Sequence, residues 1–340
     1  MKIYKVGGAV RDKLMGVDPS DNDWVVVNSS PKEMLSQGFK PIGKDFPVFL
    51  HPETGEEYAL ARTEKKAGKG YHGFTFYFGK DVTLEDDLSR RDLTINAIAE
   101  DKNGEIIDPY CGQSDIQNKV FRHVTDSFNE DPLRSIRLAR FHTYDHLKDF
   151  KIDKITKEKI SQIVESDEIK KLSPERIWSE TERALMSPNP NRYFYQIISL
   201  NLLSPFFEGL KMTECDTLNL SEIRWAELQL NNSFKVSENL PIPKKYVNAV
   251  NVTRNLKMIS FDISDEELIE LIDKTDFVKN KELIKLLCEL PKLSNAKDFI
   301  IKIIEVMKKT DFTKLSKVPV EKIKEEKTKI YKKAINKINE

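Results

Sequence analysis

Between a run of strand formers, Ile3-Tyr4-Lys5-Val6, and a helical segment opening near Arg11 stand two consecutive glycines, Gly7 and Gly8. A strand that passes into a helix through two residues without Cβ has few structures open to it. Such a passage lets main-chain N–H groups approach an anion unobstructed, and the helix N-terminus adds partial positive charge. Arg11, one turn in, can direct a fork of donors at the same anion. The bland alternative is a tight turn, and the glycine pair by itself does not exclude it.

The carboxylates that follow shift the balance. Asp21 and Asp23 lie two apart, ten residues beyond Arg11. In an extended segment, residues two apart project to one face, so both carboxylates can converge on a point. Trp24-Val25-Val26-Val27 continues as a strand with buried character and holds them at its start. Two hard oxygen ligands beside a phosphate cradle suit Mg²⁺. A solvated Asp-Asn-Asp turn is the alternative, and the neighbouring glycine motif argues against it.

Strand-like segments continue to about residue 120: FPVFLH, EEYALAR, FTFYF and GEIIDPY, separated by turn residues. Pro31 to Ser36 reads as a helix with Ser30 as N-cap. This mix predicts an α/β head with one main sheet. From Asp131 the pattern becomes helical, with expected helices at Pro132–Tyr144, Ile155–Glu168, Pro174–Met186 and Asn191–Leu203. Shorter helical pieces follow, broken by Pro241-Ile242-Pro243 and Pro291.

Charge and composition narrow the classes. No apolar run approaches the ~20 residues that span a bilayer, and MKIYKVGGAV lacks the build of a signal peptide, so no membrane association is expected. Three scattered cysteines, Cys111, Cys215 and Cys288, form no CxxC pair, which fits a reduced, cytoplasmic setting. Formal net charge is zero, yet residues 297–340 hold 13 lysines against 7 acidic residues. That excess reads either as a solvated helix face or as a patch for RNA phosphates.

Two later segments carry further polar patterns. In RRDLTINAIA, residues 90–99, Asp92 and Asn96 together offer hydrogen-bond donors and acceptors. An ordinary salt-bridged helix start would look similar. In EDPLRSIRLARF, residues 130–141, Arg134, Arg137 and Arg140 span about 120° of a helix and share a flank. Three arginines on one flank repel unless they face an anion, and a triphosphate or RNA backbone fits.

GGAVRD, DNDW, RRDLTINAIA and EDPLRSIRLARF, in this order over residues 1–210, resemble the class II CCA-adding enzymes, the bacterial tRNA nucleotidyltransferase and poly(A) polymerase family. The resemblance implies an α+β fold: a nucleotidyltransferase-fold head with one mixed sheet (1–125), a helical neck selecting the base (126–210), and a reduced helical body and tail for tRNA (211–340). It implies that Asp21 and Asp23 hold Mg²⁺ while a tRNA 3′-hydroxyl attacks CTP or ATP. Gly8, Arg11, Arg91, Asp92, Asn96, Asp131, Arg134, Arg137 and Arg140 would bind the nucleotide, with Gly7 and Glu130 auxiliary. Asp131 and Arg134 would read the Watson–Crick edge, Glu130 orienting the arginine. Glu57, in the strand EEYALAR, is a candidate third carboxylate, and an ordinary surface-strand glutamate would look the same. The segment from Arg62 to Gly73, with three glycines and three lysines, is expected to be a mobile loop assisting the switch from C to A addition, or else a plain hairpin connection.

The sequence departs from many relatives in one respect. No histidine follows His146, so the C-terminal His-Asp phosphohydrolase domain, with its transition-metal site, is not expected. A poly(A) polymerase sharing the head, and a noncatalytic tRNA-binding protein, are the competing readings. Oligomeric state leaves no mark in the sequence.

Overall fold

The computed structural model describes residues 1–19, 21–42, 48–66, 74–236 and 239–339, and the chain forms two compact units, Met1–Phe207 and Glu208–Glu340. The expected mobile loop falls largely on residues 67–73, outside the described residues.

The first unit begins with β1 (Lys2–Val6), α1 (Gly8–Leu14), β2 (Asp23–Val27), α2 (Pro31–Ser36), β3 (Lys40–Ile42), β4 (Val48–Leu50) and β5 (Glu57–Leu60). There follow β6 (Thr63–Lys66), β7 (Phe74–Tyr77), α3 (Leu84–Ser89), β8 (Ala99–Glu100) and β9 (Ile106–Ile107). One mixed seven-stranded sheet runs β3-β4-β5-β2-β1-β8-β9, as expected of the head. β6 and β7 form a separate antiparallel ribbon.

β2 lies inside the sheet, antiparallel to β1 and parallel to β5. Period-two alternation sends Val25 into a cluster with Val6, Ala97 and Ala99, and Val26 into one with Met34, Phe49 and Leu60. Burial on both faces explains the unbroken Val-Val-Val run. Asp23, at the start of β2, is aligned with Val6 on one side and Glu57 on the other. The local signals hold where they are strong: Ser30 caps α2 by accepting from the Glu33 N–H, with Pro31 in the first turn.

There follow α4 (Gly112–Asn118), the parallel pair β10 (Val120–Phe121) and β11 (Lys151–Ile152) flanking α5 (Leu133–Phe141), then α6 (Lys154–Glu165), α7 (Pro174–Met186) and α8 (Pro190–Ser199). α5 packs on α7 and α8, and its Leu133, Ile136, Leu138 and Ala139 are buried. It is shorter than its expected span because Pro132 serves as N-cap and the helix ends at Phe141.

The second unit is helical: α9 (Ser221–Asn231), α10 (Lys244–Lys257), α11 (Asp265–Thr275), α12 (Lys281–Leu287), α13 (Lys297–Lys309) and α14 (Ile323–Asn339). One apolar core joins them, including Ala226, Ile272, Leu287, Ile303 and Ile335. Among the described residues no helix is long and apolar enough to cross a membrane. Cys111, Cys215 and Cys288 are free thiols, the latter two buried, and burial pushes the Cys288 thiol up to about 11.

Candidate active site

A cleft of about 720 Å³ opens in the first unit, lined from the head by Gly7, Gly8, Arg11, Asp21, Asp23, Arg91, Asp92 and Asn96. Asp131, α5 and α7 contribute the far wall, with Arg134, Arg137, Arg140 and Arg176. Described lining residues include nine arginines and six aspartates, with neither lysine nor glutamate, so fixed positive charge predominates. A surface of that sign concentrates anions.

Gly7 holds the strand-to-helix passage at φ 74° and ψ −137°, a conformation nearly confined to glycine. Its N–H donates to the Ile98 carbonyl at 3.2 Å. A Cβ there would stand 2.8 Å from Arg91 Nη1 and 3.8 Å from Asp23 Oδ2. The missing side chain therefore lets an arginine and an acidic side chain close in on the main chain. Asp21 and Asp23 are both exposed, and both face the cleft.

Arg11 is buried, donating from Nε to Asp12 at 2.7 Å and from Nη1 to Asn96 Oδ1 at 2.7 Å. Asn96 Nδ2 donates in turn to Asp92 Oδ1 at 2.9 Å, and Arg137 Nε donates to Asp92 Oδ2 at 2.9 Å. Glu180 on α7 accepts from Arg140 Nε at 2.5 Å and pairs with Arg137 at 3.6 Å. This chain of bonds ties the glycine-led helix to two neck helices. Burial alone would raise the Asp92 pKa, but the Arg137 charge, the Asn96 amide and Arg134 outweigh it and hold the group well below the carboxylate range.

Arg90 and Arg91 both pair with Asp87, at 2.7 and 3.2 Å. Asp87 is fully buried, and the two guanidinium charges overcome the burial penalty to lower its pKa. Arg134 donates to the Ser127 carbonyl at 2.8 Å and to the Arg90 carbonyl at 2.5 Å. Asp131 faces Arg176, whose Nη2 donates to Oδ2 at 2.8 Å.

A family model described as Poly A polymerase head domain matches residues 3–122, and one described as Probable RNA and SrmB- binding site of polymerase A matches residues 149–213. The CCA-adding enzyme of Coxiella burnetii (strain RSA 493 / Nine Mile phase I) is 46% identical over 298 residues, 83% of this chain and 79% of that protein. The chain belongs to the family of CCA-adding enzymes. The fold agrees. The Bacillus stearothermophilus CCA-adding enzyme, solved in complex with CTP, superposes with a TM-score of 0.69 at 23% identity, covering 98% of this chain and 88% of that one. The Thermotoga maritima CCA-adding enzyme, complexed with tRNA, gives 0.51 at 21% identity, covering 100% and 78%.

In this member of the family, all the residues singled out from the sequence line the cleft except Glu130, which is half-buried, and Glu57, which is exposed beside Asp23 in the sheet register. Arg134 donates to main-chain carbonyls and to the Ser127 hydroxyl. On the arginine flank of α5, Arg137 meets Asp92, and Arg140 meets Glu180 and Tyr144, inside the protein. Glu180, Arg176 and His146, which bonds Asp12 at 2.9 Å, escaped the sequence reading. The helical spacing of Arg176, Glu180 and Arg183 on the amphipathic α7 was a signal that could have found three lining or supporting groups.

Proposed function

We propose that this chain completes or repairs the 3′-terminal CCA of tRNA from CTP and ATP, without a nucleic-acid template. The carrying observation is the single cleft in which Asp21 and Asp23 face an arginine array across a glycine-opened turn. The donor set fits Mg²⁺: two exposed carboxylates supply hard oxygen ligands, and the absent Cβ of Gly7 keeps the space beside Asp23 open. Mg²⁺ held by Asp21 and Asp23 would activate the tRNA 3′-hydroxyl and balance charge on the triphosphate.

The protein's own groups do the rest. Gly7, Gly8, Arg11 and Arg91 cradle the triphosphate, with Arg137 and Arg140 adding fixed positive charge behind it. Asp92 and Asn96 border the ribose. Asp131 and Arg134 meet the base edge: the carboxylate accepts from the exocyclic amine of C or A, and the guanidinium donates to ring acceptors. U and G present the opposite pattern there. The 3′-oxygen bonds to the α-phosphorus, the bond to the bridging oxygen breaks, and diphosphate leaves into the arginine field.

The division proposed is catalysis in 1–125, base selection in 126–210 and tRNA holding by the helices of 211–340, where the lysine excess suits phosphates. The cytoplasm, where tRNA is matured, is the setting proposed. The test is incorporation into tRNA lacking CCA, with CTP and ATP supplied separately and together. Two CMP and one AMP, then arrest, is the expected result. Unlimited AMP addition to generic RNA would make it a poly(A) polymerase, and tRNA binding without incorporation would make it a binding protein.

A further inference from the structure

The geometry points to Arg176 as a positioning residue for base choice: we propose that its guanidinium clamps Asp131 so that one acceptor site is left to meet an amino group on the incoming base. The inference rests on the reading that Asp131 faces the base edge.

A carboxylate offers about four acceptor positions. On Asp131, Oδ1 accepts from the Leu133 main-chain N–H at 3.2 Å and from Arg176 Nη1 at 3.3 Å, while Oδ2 accepts from Arg176 Nη2 at 2.8 Å. Both sites on Oδ1 are thereby engaged, and Oδ2 retains one. The fork is bidentate, so it sets the plane of the carboxylate as well as its place. Both side chains are about one-fifth exposed and line the cleft, so the remaining lone pair is accessible to a ligand.

The clamp has its own support. Arg176 lies in the first turn of α7, where Ser173 caps the helix by accepting the Arg176 N–H at 3.3 Å and Pro174 occupies the first turn. Arg134, the other base-edge residue, donates its main-chain N–H to the Asp131 carbonyl at 3.0 Å, so the two recognition groups share one turn. Since Leu133 N–H and the two Arg176 nitrogens all donate to the carboxylate, Asp131 presents an acceptor to the base. C and A place an amine against it. U and G place a carbonyl oxygen, and two facing acceptors repel. Lysine at 176 would keep the charge but not the fork.

The test compares wild type with Arg176→Lys and Arg176→Met, measuring kcat/KM for CTP against UTP and for ATP against GTP on suitable tRNA primers. Equilibrium binding of CTP and UTP without tRNA supplies a second readout, and thermal melting reports the fold. The expected result is a fall in the CTP:UTP ratio of roughly tenfold for Arg176→Met, about 1.4 kcal/mol, with Arg176→Lys intermediate. Should the methionine variant fail to fold, the lysine variant decides, and its ratio must fall severalfold. A wild type without any preference for CTP overturns both the base-edge reading and the clamp. A wild-type preference that survives unchanged in both folded variants, even if overall rates drop, overturns the clamp alone.

Discussion

Replacing Gly7 with alanine tests the core of the site. The residue sits at φ 74°, ψ −137°, so a side chain there costs about 1–3 kcal/mol in backbone strain. The new Cβ would also stand 2.8 Å from Arg91 Nη1, closer than real contacts allow. Arg91 must move, and its Nη2 bond to the buried Asp87 carboxylate, 3.2 Å long, is then strained or lost. A hydrogen bond to a charged group is worth about 1.5–3 kcal/mol. The two effects together come to about 4 kcal/mol. At about 2–4 °C per kcal/mol for a unit of this size, the melting temperature of the first unit should fall by roughly 10 °C. KM for CTP and ATP should rise together, by roughly tenfold, because Arg91 leaves the cleft wall whichever base is bound. Gly8→Ala is the control for stability, since its Cβ meets nothing nearer than Arg11 Nη2 at 3.5 Å, and its melting temperature should stay close to wild type. Differential scanning fluorimetry and steady-state incorporation measure both quantities. A Gly7→Ala protein with wild-type melting and wild-type KM would refute the close-approach reasoning.

Asp21→Asn and Asp23→Asn should each cut incorporation by about 10³-fold or more, through loss of several kcal/mol of charge stabilisation, while melting changes little because both side chains are exposed; retained turnover in either variant would remove that residue from the metal site. Glu180→Ala should cost about 3–5 kcal/mol by stranding buried Arg140 and its neighbour Arg137, read as a lower denaturation midpoint in urea. Folding stability should also respond to acid. Asp12, Asp87 and Asp92 are each held below their ordinary pKa, burial opposing and adjacent cations or donors prevailing. Their contribution is fully present above the unfolded value of about 3.9 and is lost as pH falls through the lower folded values. Urea titrations from pH 7 to pH 3 should show that decline, and Asp92→Asn should flatten its acid limb.

Features that depend on neighbours in the chain were legible without the fold. The glycine passage into α1, the Ser30 cap with Pro31, the buried alternation of β2 and the full span of α7 are set by steric and hydrogen-bonding choices within a few residues. The two aspartates at the head of β2 were likewise legible, because a strand's period of two is local. Pairings across the chain were not. Arg11 meets Asn96 across 85 positions, Asp131 meets Arg176 across 45, and Arg140 meets Glu180 across 40. The character of an arginine says that it needs an acceptor; it does not say whether that acceptor is a ligand or a carboxylate brought up by another helix. Close packing of α5 on α7 made part of that choice, bringing Glu180 to the arginine flank and giving Asp131 its partner in Arg176, while Asp92 reaches Arg137 from the segment after α3. The sequence by itself determined which polar groups stand at the strand starts and helix flanks that line the cleft, and the tertiary structure decided which of them hold one another in place.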